Sequence, residues 1–293
     1  MKFIVAETAG FCFGVNRAAA FVEESLADGK NRIFTYGELI HNEVYLSSLR
    51  DRGVHIAKAA DIPALAADTS PTVLVIRAHG IPLNEEHALS DFAQKNPSFS
   101  VADMTCPYVK RIHRIADRET DENTLFFLLG TEGHPESLGI LSHAKGTKHL
   151  VCDLHALENA VIPYKNSEKK AVFVSQTTAL HEEFKKCKIF FKKYFTNAKI
   201  FDTICSITET RQKEAETLSS SVDVMLVVGG KNSSNTRRLY EIAAQRCPAT
   251  YWLESAADVG LLPAFPQETT IGITAGASTP VGLIKEILNQ WKK

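Results

Sequence analysis

Three cysteines share one local setting. Cys12 in "GFCFGVNR", Cys106 in "MTCPYVKR" and Cys205 in "TICSITETR" each follow a strand-like stretch, open a helix-like one and have an arginine five or six residues on. They recur at intervals of 94 and 99 residues, close to a third of the 293-residue chain. A thiol at a helix start has its thiolate favoured by the helix dipole, which equips it to hold a metal or to attack. Gly14, just past Cys12, lets the backbone come close to a bound group, and Pro107, Ser206 and Thr208 suit helix starts. Structural zinc asks for four ligands, often in close C-x-x-C pairs, and the chain has no such pair. An iron–sulfur cluster on three cysteines leaves one iron open and accepts ligands far apart in sequence. Cys152, Cys187 and Cys247 lack the setting and read as structural.

Polar loop residues keep step with these cysteines. His41, His134 and Ser233 follow them by 29, 28 and 28 residues, and His79, Thr177 and Ser278 by 67, 71 and 73. In "GGKNSSNTRRLYEIAAQ", Asn232, Ser233, Ser234 and Asn235 stand at a helix start; in "AGASTPVGLIKEIL", Ser278 and Thr279 precede Pro280. Such helix starts receive phosphate, and ordinary N-capping explains either motif alone equally well. Glu136, two residues past His134 in "GHPES", is a carboxyl that could give a proton inside a cavity.

The elements that must position these groups are readable as buried strands, "RIFTY", "TVLVIRA", "TLFFLLG", "AVFVSQ", "DVMLVVGG" and "TIGITAG", and a strand-like run, "KFIVAE", ahead of Cys12, with helical stretches between them. This is α/β with mostly parallel sheets, and ligands of such sheets gather at the carboxyl ends of the strands. The period predicts three similar α/β domains, 1–100 with Cys12, 101–200 with Cys106 and 201–281 with Cys205, with 282–293 as a helix packing back on the first. Facing one another about a pseudo-threefold axis, they would bring three thiolates and two rings of polar groups to one cavity.

Lys plus Arg is 33 and Asp plus Glu is 34, a net charge of −1 with signs mixed throughout, so no footprint for nucleic acid or an anionic membrane is expected. The apolar start is broken by Glu7 and resembles neither a secretion signal nor a transit peptide; a soluble cytoplasmic protein with reduced thiols is expected. A Walker loop and a G-x-G-x-x-G after a strand are both missing, so nucleotide binding has no support.

Read in order, "AGFCFGVNRA", "GELIHNEVY", "IRAHGIP", "DMTCPYVKRIH", "GHPES", "SQTT", "TICSITETRQ", "VVGGKNSSNTRRL" and "TAGASTP" resemble the 4-hydroxy-3-methylbut-2-enyl diphosphate reductase family, also called IspH or LytB, over essentially the whole chain. The resemblance implies three α/β domains in a pseudo-threefold trefoil around a 4Fe-4S cluster on Cys12, Cys106 and Cys205, with the fourth iron open to the substrate's allylic hydroxyl. It implies a diphosphate pocket of His41, His79, His134, Ser233, Ser234, Asn235 and Ser278. Glu136 would be the acid that delivers protons, with the hydroxyl of Thr177 beside it and Thr208 near the cluster. The implied reaction is reductive dehydration of the allylic diphosphate to isopentenyl and dimethylallyl diphosphate, the last step of the non-mevalonate pathway, with electrons from reduced ferredoxin or flavodoxin. One departure follows "GHPE": Ser137 and Leu138 are unusual for the family, although Gly139 is kept. Two other readings differ at named residues. An iron–sulfur dehydratase of the quinolinate synthase type should carry arginines where this chain has "KNSSN" and "GAST", and a non-catalytic iron–sulfur sensor has no use for Glu136.

Overall fold

A computed structural model describes residues 1–67, 69–165 and 167–291. Its strands are β1 (Lys2–Val5), β2 (Arg32–Tyr36), β3 (His55–Ala57), β4 (Thr72–Ile76), β5 (Phe99–Asp103), β6 (Leu125–Leu129), β7 (Thr147–Val151), β8 (Ala171–Ser175), β9 (Lys199–Ile200), β10 (Val224–Val228), β11 (Thr250–Leu253) and β12 (Thr270–Ala275). Its helices are α1 (Phe13–Asp28), α2 (Glu43–Asp51), α3 (Ile62–Ala67), α4 (Leu83–Lys95), α5 (Pro107–Glu119), α6 (Pro135–His143), α7 (Leu154–Val161), α8 (His181–Tyr194), α9 (Ser206–Ser219), α10 (Ser234–Arg246) and α11 (Val281–Gln290). The chain divides into two compact units: Met1–Ala20, Glu38–His55 and Ser206–Lys293 form one, Phe21–Gly37 and Ile56–Cys205 the other.

The first unit holds one sheet in the order β1-β12-β10-β11, with every pair parallel. Its middle strands are apolar without alternation because helices cover both faces. On one face Leu283, Ile284 and Ile287 of α11 pack with Leu226, Val228, Ile271 and Ile273. On the other, Leu218 of α9 and Leu239 and Ala243 of α10 pack with Met225 and Val227. The C-terminal helix therefore packs on this sheet, where Trp291 also meets Phe3 of β1 with ring centroids 5.4 Å apart.

Two sheets make up the second unit, in the orders β3-β2-β4-β5 and β7-β6-β8-β9. In the latter, Phe127, Phe173, Phe184 and Phe191 interlock at centroid distances of 5.0 to 5.5 Å. Each such phenylalanine, wholly buried, contributes about 1.5–3 kcal/mol through the area it removes from water. Ile112 and Ala116 of α5 and Ile140 of α6 cover the opposite face.

One plan is used three times. Two central strands lie side by side (β2 and β4, β6 and β8, β10 and β12), and a fourth strand lies beside the second of them: β5, β9 and β1 respectively. Each fourth strand leads into a cysteine. The strand leading to Cys12 thus joins the sheet of the last third of the chain, pairing Lys2 with Thr270 through Val5 with Ile273. Among the described residues no helix is long and apolar enough to cross a membrane.

Candidate active site

The three cysteines occupy equivalent positions. Each stands immediately before a helix, α1, α5 or α9. Each amide N–H donates to a carbonyl two residues past the neighbouring central strand: Cys12 to Ala277 at 3.1 Å, Cys106 to Ala78 at 3.0 Å and Cys205 to Thr177 at 3.0 Å. The bond pins the backbone beneath each thiol. All three are outside any disulfide and partly exposed, whereas Cys187 and Cys247 are buried in cores and Cys152 is exposed. Burial pushes the Cys187 thiol up to about 12, away from thiolate chemistry. Soft donors at helix starts, held on their backbones and outside the cores, fit an iron–sulfur cluster.

In the second unit the polar groups lock together after β6 and β8. Pro135 occupies the first turn of α6 and His134 caps it, its Nδ1 accepting from the Glu136 amide at 3.1 Å. The Gln176 amide group also meets this Nδ1, with Nε2 at 3.1 Å, while its Oε1 accepts from the Thr131 N–H at 3.1 Å. With two donors aimed at Nδ1, the His134 proton resides on Nε2 and the ring is a neutral donor. Glu136 is 1% exposed. Its Oε1 accepts from the Thr177 amide at 2.7 Å and its Oε2 from the Thr177 hydroxyl at 2.9 Å. Burial raises its carboxyl to about 7 against the opposing pull of the Thr177 and Gln176 hydrogen bonds. His79 meets His134 edge to face, with ring centroids 5.3 Å apart.

With Ser137 and Leu138 after "GHPE", this carboxyl stands in the first turn of the helix. Ser137 turns inward and is wholly buried, while Leu138 points to solvent. A Cβ on Gly130 would stand 2.8 Å from the Ser137 hydroxyl, so glycine is what lets the end of β6 approach α6 here.

In the first unit, Ser233 caps α10 by accepting from the Thr236 amide at 3.2 Å. Asn235, the second residue of the helix, is 3% exposed, and both its amide oxygen and its nitrogen lack a hydrogen-bond partner among the described residues. A buried amide without partners at the positive end of a helix is suited to a phosphate oxygen. The Ser278 hydroxyl donates to the His41 carbonyl at 3.2 Å, and a Cβ on Gly230 would stand 2.4 Å from the same oxygen, so these three loops require glycine there. His41 Nδ1 lies 3.2 Å from Glu38. Thr208 is buried in the first turn of α9, and the Thr279 hydroxyl donates to the Val228 carbonyl.

The structure joins His79, His134, Glu136 and Thr177 in one unit, and His41, Ser233, Ser234, Asn235 and Ser278 lie on neighbouring loops of the other. Gln176 escaped the sequence reading. Its signal was its place inside "SQTT" beside Thr177, but an amide that orients a distant imidazole leaves no mark in spacing.

A family model described as LytB protein matches residues 3–292. A 4-hydroxy-3-methylbut-2-enyl diphosphate reductase of Petrotoga mobilis is 38% identical over 291 residues, covering 98% of this chain and 96% of its own. That of Aquifex aeolicus is 36% identical over 288 residues, covering 98% and 94%. Among solved structures, one of (E)-4-hydroxy-3-methyl-but-2-enyl diphosphate reductase, described as the terminal enzyme of the non-mevalonate pathway, aligns with a TM-score of 0.70 at 35% identity over 100% of this chain and 99% of that one. The corresponding reductase of Plasmodium falciparum aligns with a TM-score of 0.83 at 25% identity over 100% and 88%. With near-complete coverage in sequence and structure alike, the chain belongs to the LytB family.

Proposed function

We propose that the protein reduces (E)-4-hydroxy-3-methylbut-2-enyl diphosphate to isopentenyl and dimethylallyl diphosphate, the reaction of its relatives. The allylic C–O bond breaks and a C–H bond forms, consuming two electrons and two protons and releasing one water. A 4Fe-4S cluster on Cys12, Cys106 and Cys205 would supply the electrons and a Lewis-acid iron for the departing oxygen.

The observation that carries this reading is Glu136. A wholly buried carboxyl titrating at about 7 is part protonated at neutral pH and can give a proton to a leaving hydroxyl. The Thr177 hydroxyl, on Glu136 Oε2, fixes its direction and can relay the proton. The neutral His134 ring offers Nε2–H as a donor. Ser233, Ser234, Asn235, Ser278, His41 and His79 supply further donors for the diphosphate, with the unpaired Asn235 amide as the strongest support. Reduced ferredoxin or flavodoxin is proposed as the electron source.

Anaerobic purification with iron and sulfide analysis, then turnover with dithionite-reduced viologen, tests the reading. Four irons per chain and formation of both products are expected. A bound cluster without turnover would favour the dehydratase or sensor, and zinc alone would overturn the redox chemistry.

A further inference from the structure

The three helices that start at the cysteines differ in charge. α1 carries Arg17 against Glu23, Glu24 and Asp28, and α9 carries Arg211 and Lys213 against Glu209, Glu214 and Glu216. By contrast, α5 carries Lys110, Arg111, Arg114 and Arg118 against Asp117 and Glu119. Those two acids are already engaged: Asp117 pairs with Lys145 at 3.2 Å, and Glu119 with Lys199 at 2.6 Å and Lys170 at 3.5 Å. Lys110 is taken by Asp103. Arg111, Arg114 and Arg118 are exposed and have no carboxylate partner among the described residues. Their spacing sets them on one face of the helix, opposite the buried Val109, Ile112 and Ala116. With Ile115 and Glu119 they line a recess of about 260 Å³. Like charges at this spacing oppose the helix that bears them, and the opposition is relieved when a partner's carboxylates arrive.

We propose that this arginine face of α5 is the docking surface for a small acidic protein that carries one electron at a time. The proposal rests on the reductase reading above, which requires two electrons from outside for each substrate reduced. Two encounters supply them, each oxidising one carrier by one electron, and the pair reduces the substrate as its C–O bond breaks and two protons are taken up. The helix leads directly back to a proposed cluster ligand: Arg111 is five residues past Cys106, about 7.5 Å of helical rise. Neither α1 nor α9 presents such a run of arginines, so charge favours the approach along α5.

The test replaces Arg111, Arg114 and Arg118 together by Glu, with the milder triple Gln variant as a control for folding, in the cluster-loaded protein. Turnover is measured with reduced ferredoxin and with dithionite-reduced methyl viologen, and oxidised ferredoxin is titrated into each protein to obtain Kd independently of turnover. KM for ferredoxin and Kd are expected to rise about tenfold or more with Glu and less with Gln, and their salt dependence to flatten, while viologen turnover stays within about twofold. Unchanged ferredoxin KM and Kd in both variants would overturn the proposal. Loss of binding to RNA or to anionic vesicles with ferredoxin binding intact would likewise overturn it. If the unaltered protein turns over with neither donor, the reductase reading fails, and the Kd series alone then decides the surface.

Discussion

Two clusters in the second unit each set a glutamate beside histidine, and burial leaves them in different electrical states. Around Glu136 every polar atom has a defined role: both carboxyl oxygens accept from Thr177, and His134 Nδ1 accepts from the Glu136 amide and Gln176. Around Glu86, His113 and His143 stack with centroids 4.1 Å apart and planes at 23°. Each has a ring nitrogen 3.9 Å from the Glu86 carboxylate, beyond hydrogen-bond reach, and neither Nε2 has a partner among the described residues. Burial, with His143 adding to it, pushes His113 down to about 3. Both clusters pay desolvation, but only the hydrogen-bonded one holds a titrating group at neutral pH in a fixed direction.

The comparison breaks most sharply at Glu136→Gln. An amide of equal size keeps the packing and removes the proton, so turnover should fall about 10²–10⁴-fold while the substrate still binds, as read by kcat beside a ligand titration. Retention of a tenth of the kcat would assign the proton to another group. Gln176→Glu tests the orientation of His134. An acceptor opposite Nδ1 draws a proton onto that nitrogen, so the ¹⁵N imidazole signals should move from the Nε2–H tautomer to the imidazolium, with a loss of turnover of about 10²-fold. Unmoved signals would show that the Glu136 amide alone sets the tautomer.

The two clusters tilt the stability curve in opposite directions. The folded protein holds the Glu136 proton up to about pH 7, above the ordinary carboxyl value of 4.5, so stability falls as pH rises through that window. Relative to the native chain, Glu136→Gln should gain up to about 3 kcal/mol between pH 5 and pH 8 in denaturant melts without substrate. His113 runs the other way. Its folded value lies below the ordinary 6.5, so stability is complete above pH 6.5 and is lost on acidification toward 3. His113→Gln should therefore flatten the acid limb by about 3 kcal/mol at pH 4, and equal slopes in both proteins would show that His113 charges while folded.

What the sequence made legible divides along the same physical line. The strands read from it are the central ones plus β1, and β6, β8 and β10 are buried at every position, so each is a continuous apolar run. The edge strands β3, β5, β7, β9 and β11 are short or half exposed and carry no such run. Spacing found the cysteines and the polar loops because a threefold plan repeats their positions. It could not foretell that β1 closes the sheet of β12, since parallel pairing between distant segments leaves no local trace. Nor could it show that Gln176 orients His134 or that His113 and His143 stack: both depend on side chains of different elements meeting in space.

The smallest effect is expected at Ser137, just past the "GHPE" stretch. Ser137 Oγ, wholly buried beside Gly130, has no hydrogen-bond partner among the described residues, as with the Nε2 atoms of the histidine stack, yet it lies next to Glu136 in sequence. Removing an unpaired buried hydroxyl removes a desolvation cost without opening a cavity, so Ser137→Ala should leave kcat within about twofold and add up to about 1 kcal/mol in urea melts. A loss of that size together with a shift in the pH profile of kcat would mean that the hydroxyl helps to hold the first turn of α6, and with it Glu136. Unpaired polar atoms would then belong to the active cluster as well, and the distinction between the two clusters would rest on Thr177 and Gln176 alone.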